Sequence, residues 1–101
     1  MTADLQDVEL AGQRATSLAL VFSELLGNAL EHGGRHVAIT LALEGDGALL
    51  VVADDGAGIG GAADGTGMSI VRALVRDELG GELRLADDGG LRAEVRFPLG
   101  A

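Results

Sequence analysis

Glu24, Asn28 and His32 stand four residues apart, and Asp54-Asp55 opens a stretch containing Gly56, Gly58, Gly60, Gly61, Gly65 and Gly67. On a helix, each member of the first trio follows the last by about 40°, so the three form one polar stripe. The second stretch begins with an apolar run, Leu49-Leu50-Val51-Val52-Ala53, that ends on carboxylates and empties into glycine. A carboxylate at a strand end suits the edge of a flat polar ligand, because it accepts hydrogen bonds from that edge. The bare amides beyond it suit the ligand's charged end, and glycines ahead of a helix leave N–H groups free at the positive end of its dipole. Acid, glycine loop and helix start together outline a nucleotide pocket.

Each feature also has a plainer reading. The stripe could be a solvated flank, with His32 favourable to the dipole at a helix C-terminus. An asparagine beside a buried seam, however, costs free energy unless it has a partner. Spacing alone leaves both readings open. Asp54-Asp55-Gly56 could be a turn like Asp87-Asp88-Gly89, but the later copy leads straight into a strand while the first opens a long bare loop. Gly56-Ala57-Gly58-Ile59-Gly60-Gly61 matches a dinucleotide fingerprint, yet no helix opens at the third glycine and no acid ends a strand some 20 residues on. The spacing from Gly60 to Thr66 resembles a Walker loop, but it has no lysine for the phosphates. A calcium loop counted from Asp54 reaches Gly65 where a bidentate glutamate is needed. His32 and His36 are separated by Gly33-Gly34, which breaks any helix that would align them on a metal.

The surrounding elements follow from periodicity. From Gln13, the residues Leu18, Val21, Phe22, Leu25, Leu26 and Ala29 recur at helical spacing, with Thr16 or Ser17 as a start cap and Gly33-Gly34 as the stop. Val8 and Leu10 alternate loosely, predicting a short edge strand within residues 1–12. Val37–Leu43 and Leu49–Asp54 read as a hairpin around Glu44-Gly45-Asp46-Gly47. Met68, Val71, Leu74 and Val75 predict a second helix that Gly80-Gly81 ends. Glu82–Ala86 and Leu91–Leu99 predict a second hairpin, with Pro98 near the chain end where a lost ladder donor costs least. The order strand, helix, two strands, helix, two strands predicts an α+β fold: a two-layer sandwich with helices on one face of a mixed, largely antiparallel sheet.

The totals limit what such a fold can do. One domain spanning 1–101 fits the length, and 48% hydrophobic residues argue against disorder. The net charge of −9 repels phosphate backbones, and with no Trp or Tyr and two Phe there is no stacking platform, so nucleic acid is an unexpected partner. A single nucleotide remains compatible if a divalent ion and local amides neutralise its charge. No run reaches the ~20 apolar residues that cross a bilayer, and no leader opens the chain, so no direct membrane insertion and a cytoplasmic location are expected. The absence of cysteine excludes disulfides and thiolate metal sites.

Three motifs in order resemble the ATP-binding catalytic domain of bacterial sensor histidine kinases, a branch of the group that includes DNA gyrase. Glu24-Leu-Leu-Gly-Asn28-Ala-Leu-Glu-His32 is similar to the N box, Asp54-Asp55-Gly56-Ala57-Gly58-Ile59 to the G1 box, and Gly65-Thr66-Gly67-Met68-Ser69-Ile70-Val71 to the G2 box. The likeness runs from about Gln13 to Leu99 and implies the Bergerat-type sandwich. It implies that Asn28 binds the Mg2+ that bridges the phosphates and that Glu24 orients or activates the attacking group. It implies that Asp54 accepts the adenine amino group, that Gly56 and Gly58 let the backbone approach the nucleotide, and that Gly65, Thr66 and Gly67 hold phosphates. His32, Ile59 and Met68 complete the ATP-binding set that the resemblance implies. Glu31 stands where the family often has a basic residue, the segment from Gly58 to Gly65 is short for a lid and lacks a phenylalanine box, and Leu91 replaces a frequent threonine.

The activity so implied is transfer of the ATP γ-phosphoryl group to a histidine on a separate dimerisation and phosphoacceptor domain, with a response regulator downstream. No two-helix acceptor segment is expected within the chain. The alternatives are an anti-sigma-factor serine kinase with the same pocket, and a non-catalytic nucleotide-binding or docking module.

Overall fold

The structure is a computed structural model that describes residues 2–10, 12–32, 36–55, 66–87 and 89–99, with the backbone alone at His32, Thr66 and Gly67. In chain order the elements are β1 (Thr2–Leu5), α1 (Gln13–His32), β2 (Val37–Glu44), β3 (Gly47–Asp54), α2 (Thr66–Leu74), β4 (Glu82–Asp87) and β5 (Leu91–Pro98). A wider, π-helical turn at Val75–Leu79 continues α2. The strands form one sheet in the order β1-β2-β3-β5-β4. Every pairing is antiparallel except that of β1 with β2.

The two-layer α+β expectation holds, and the alternation of each strand explains it. Ala48, Leu50 and Val52 of β3 and Ala93, Val95 and Phe97 of β5 turn one face toward the helices, where they are buried. On α1, Val21, Leu25 and Ala29 recur every four residues and meet Met68, Val71, Val75 and Leu79 in the same core. Burying each Val, Leu, Met or Phe of this set stabilises the fold by about 1.5–3 kcal/mol before the entropy of ordering is subtracted. The other face carries charge: Arg92, Glu94 and Arg96 alternate along β5, each two residues from the next. Nε of Arg92 donates to Glu94 Oε2 at 2.6 Å and Nε of Arg96 to Glu44 Oε1 at 2.9 Å. The Arg92 hydrogen bond, outweighing partial burial, holds the Glu94 carboxyl below its ordinary range.

Three boundaries differ from expectation. The edge strand is Thr2–Leu5, parallel to β2, and does not contain Val8 or Leu10. The chain leaves the sheet at Gln6, whose N–H donates to Leu41 O at 2.8 Å and whose side-chain Oε1 accepts from the Leu43 N–H at 2.6 Å. That side chain takes the next ladder position, and Val8 and Leu10 pack against the core from the flank. The first helix begins at Gln13, so Thr16 and Ser17 lie inside it and Ser17 is buried. The last strand ends at Pro98, paired with Gly47 of β3, and Leu99 continues only through its N–H to Asp46 O at 3.1 Å. The stop at Gly80-Gly81 is as expected: Gly80 has φ 66°, a left-handed conformation that suits glycine, and the Gly81 N–H donates to Val75 O at 2.9 Å. Gly33-Gly34 lies outside the described residues.

One cation fastens the two layers. The guanidinium of Arg14, in the first turn of α1, donates to Leu79 O at 3.0 Å, to Leu99 O at 2.9 Å and to Pro98 O. It thereby joins the start of one helix to the end of the other and to the last strand.

Candidate functional site

Chain connectivity brings the motif-bearing ends together. Four residues separate the last residue of α1, His32, from the first of β2, Val37, which pairs directly with Asp54 at the end of β3. Val37, Ala29 and Met68 belong to one core cluster, so the C-terminal part of α1, the end of β3 and the first turn of α2 converge at one end of the sandwich. Glu24 and Asn28 are half-buried and each precedes a buried residue, Leu25 and Ala29. One residue on a helix is a rotation of about 100°, so both lie beside the buried seam on the flank of α1. The polar stripe is thus a border of the core. Of His32 only the backbone is described, at the helix end.

Asp54 continues the alternation of Ala48, Leu50 and Val52 and stands opposite buried Val37, so it lies on the helix side of the sheet. It is half-buried. The β3–β5 ladder ends at the pair Ala53 and Arg92, and the next pair would be Asp54 with Leu91. There the side chain takes over from the ladder: the Leu91 N–H donates to Asp54 Oδ1 at 3.3 Å. Asp55 does something else. It is exposed, and its Oδ1 accepts the His36 N–H at 3.1 Å, tying the entry of β2 to the exit of β3. Adjacent and chemically identical, the two aspartates have separate tasks. One holds its carboxylate on the helix side; the other closes the mouth of the hairpin.

A cavity of about 230 Å³ opens at this end, lined by Thr2, His36, Val37, Ala38, Ala53, Asp54 and Asp55. A larger one of about 900 Å³ lies between the N-terminal segment and α1, among side chains such as Val8, Leu10, Leu18, Phe22 and Leu41. Its walls are mostly apolar and include none of Glu24, Asn28 and Asp54, so it is no match for a polyanion. Among the remaining expected site residues, Gly56, Gly58, Ile59 and Gly65 lie outside the described residues. Thr66 and Gly67 open α2, where backbone N–H groups lack helical partners. Met68 is 1% exposed within the core, so any part it takes in binding falls to its backbone. No group of three or more His, Cys, Asp and Glu side chains forms a metal cage among the described residues.

The profile of the family described as "Histidine kinase-, DNA gyrase B-, and HSP90-like ATPase" matches residues 13–101. The chain belongs to this family. Among curated members of this ATPase family, it is 36% identical to the sensor histidine kinase PdtaS of Mycolicibacterium smegmatis over 104 residues, which cover 90% of the chain and 21% of that protein. The same identity and coverage hold for PdtaS of Mycobacterium tuberculosis. The chain therefore spans about a fifth of the length of these relatives.

Of the solved structures, the histidine kinase domain of the blue-light activated histidine kinase from Erythrobacter litoralis superimposes with a TM-score of 0.85 at 30% identity, covering 97% of this chain and 50% of that one. The Acinetobacter baumannii histidine kinase AdeS has a TM-score of 0.82 at 18% identity, over 98% of this chain and 53% of its own, a likeness of fold alone. The sandwich expected from periodicity is thus that of the ATPase family. One contact at the site escaped the sequence reading: the Leu91 amide on Asp54. Its only trace in the sequence is the pair Gly89-Gly90 ahead of the last strand.

Proposed function

We propose that this chain binds Mg-ATP between the flank of α1 and the end of β3. From there it presents the γ-phosphoryl group to a histidine on a separate phosphoacceptor domain, from which a response regulator of a two-component system receives it. The observation that carries this reading is the placement of Asp54: half-buried, on the helix side, and already held by one backbone amide. A carboxylate accepts several hydrogen bonds at once, so contact with the Leu91 amide is compatible with accepting an adenine amino group.

The other roles follow from chemistry and position. Asn28 offers an amide oxygen and Glu24 a carboxylate, one helical turn apart on the same flank. Hard oxygen donors suit Mg2+, which is held by one or two protein groups plus phosphates and water more often than by an all-protein cage. The donor set therefore fits the ion. When bound, it would neutralise phosphate charge that this acidic chain otherwise repels. Glu24 orients the acceptor group. Gly56, Gly58, Ile59 and Gly65 belong to the ATP-binding set by the family resemblance, Thr66 and Gly67 offer amides to the phosphates, and the backbone of His32 ends α1 beside them. Positioning and charge stabilisation account for most of the catalysis of phosphoryl transfer, so few side chains need act chemically. A reaction fed by ATP places the chain in the cytoplasm; no helix among the described residues is long and apolar enough to cross a membrane.

Titration calorimetry with ATP, and with the analogue lacking the 6-amino group, each with and without Mg2+, tests the reading. The wild type should prefer ATP over the analogue by about tenfold, the value of one hydrogen bond to a charged group. Asp54→Asn should lose most of that preference, because its amide meets two donors with one oxygen and one NH2 group. An unchanged preference in a folded Asp54→Asn protein would remove the aspartate from its role.

A further inference from the structure

Gly90, the last residue before β5, is buried against the Asp54–Asp55 backbone. A Cβ built on it would collide with the carbonyl oxygen of Asp54 and lie 2.7 Å from its carbonyl carbon and 2.8 Å from the Cα of Asp55. Real Cβ atoms essentially never come that close, and all three atoms are backbone, which cannot swing aside as a flexible side chain does. The φ of 148° is a second restriction, since L side chains rarely adopt it. Gly89 contrasts with it: its φ is 70°, but nothing lies within 4 Å of its added Cβ. The turn therefore needs glycine at 89 for its conformation and at 90 for proximity as well.

What that proximity accomplishes is visible one residue on. With the hairpin seated on the Asp54–Asp55 backbone, the Leu91 N–H reaches Asp54 Oδ1 at 3.3 Å. We infer that Gly90 is a positioning residue for base recognition: its missing side chain seats the β4–β5 hairpin so that the Leu91 amide sets the orientation of the Asp54 carboxylate. The inference rests on the reading of Asp54 as the adenine acceptor. Any side chain at 90 lifts the hairpin and lengthens this hydrogen bond, and the carboxylate then turns away from the orientation that meets the amino group. Loss of base discrimination is the expected signature, beyond a general loss of nucleotide affinity.

The test is a double-mutant cycle on the affinity ratio of Mg-ATP to the analogue lacking the 6-amino group, using wild type, Gly90→Ala, Asp54→Asn and the double variant. Circular dichroism and cooperative melting check that each is folded. Gly90→Ala should lower the ratio at least fivefold, and the double variant should show the ratio of Asp54→Asn alone, because both changes act through one carboxylate. Replacing Leu91 with its α-hydroxy acid removes the N–H while keeping the side chain, and it decides the matter should Gly90→Ala not fold. That variant should lower the ratio likewise. A folded Gly90→Ala protein, or the hydroxy-acid variant, with the wild-type ratio would overturn the inference while leaving Asp54 in place. An Asp54→Asn protein with the wild-type ratio would overturn the site reading, and the inference with it.

Discussion

At the residue scale, the site separates by chemistry into two halves that should fail independently. Asp54 sits at a strand end and is proposed to read a base edge, whereas Asn28 sits on a helix flank and is proposed to offer a neutral oxygen to a hard cation. Asn28→Ala should therefore weaken Mg-ATP binding by about tenfold, in the range for loss of one charge-assisted contact, while leaving the preference for ATP over its 6-deamino analogue unchanged. Calorimetry at several Mg2+ concentrations checks this, and a loss of preference equal to that of Asp54→Asn would contradict the division. The motif reading named both residues from spacing and resemblance. The resemblance picked Asp54, but spacing alone could not separate it from Asp55, because adjacent identical side chains carry no label in a sequence. The strand does that, by turning one inward and the other toward His36.

At the scale of elements, the helix layer is held to the sheet by apolar burial and, at the end opposite the site, by Arg14. Three carbonyls at the ends of α2's continuation and β5 converge on this guanidinium. Carbonyls at a helix end need partners, and a planar cation with five donors reaches several at once. Arg14→Ala should lower stability by about 1.5–3 kcal/mol, the range for a hydrogen bond to a charged group. Arg14→Lys should recover only part of that, since an ammonium lacks the fixed fork. Urea unfolding curves distinguish the two, and equal midpoints for wild type and Arg14→Ala would show that the contact contributes nothing net. By contrast, the Arg76–Asp77 pair is exposed on both sides, and pairs of that kind contribute little. Helices and hairpins were legible because their apolar periods are long and their stops are glycines. The edge strand was misplaced because Asp7-Val8-Glu9-Leu10 alternates as a strand would, while Gln6 ends the ladder just before it.

At the scale of the whole molecule, charge governs how a nucleotide arrives. The chain has no lysine, seven arginines and a net charge of −9. Its long-range field repels ATP, and salt screens that field over about 8–10 Å at moderate ionic strength. Association of Mg-ATP should accordingly be unchanged or faster as salt rises from about 50 to 300 mM, the reverse of a basic nucleotide-binding surface. Stopped-flow measurements with a fluorescent ATP analogue check the sign, and a steep fall with salt would mean that a local cationic patch dominates.

Composition and periodicity determined by themselves a two-layer α+β sandwich and which helix and strand carry the polar groups, and three short motifs carried the resemblance to the histidine kinase-like ATPases. These properties are local: a helical period, a glycine stop and a motif's order are all read along the chain. Only the tertiary structure decided that Asp54 shares a face with the helices, that Arg14 ties down three distant carbonyls, and that Gly90 lies flat against the Asp54 backbone. Each of these joins residues tens of positions apart, where strand register and close packing, not neighbours in sequence, set what touches what.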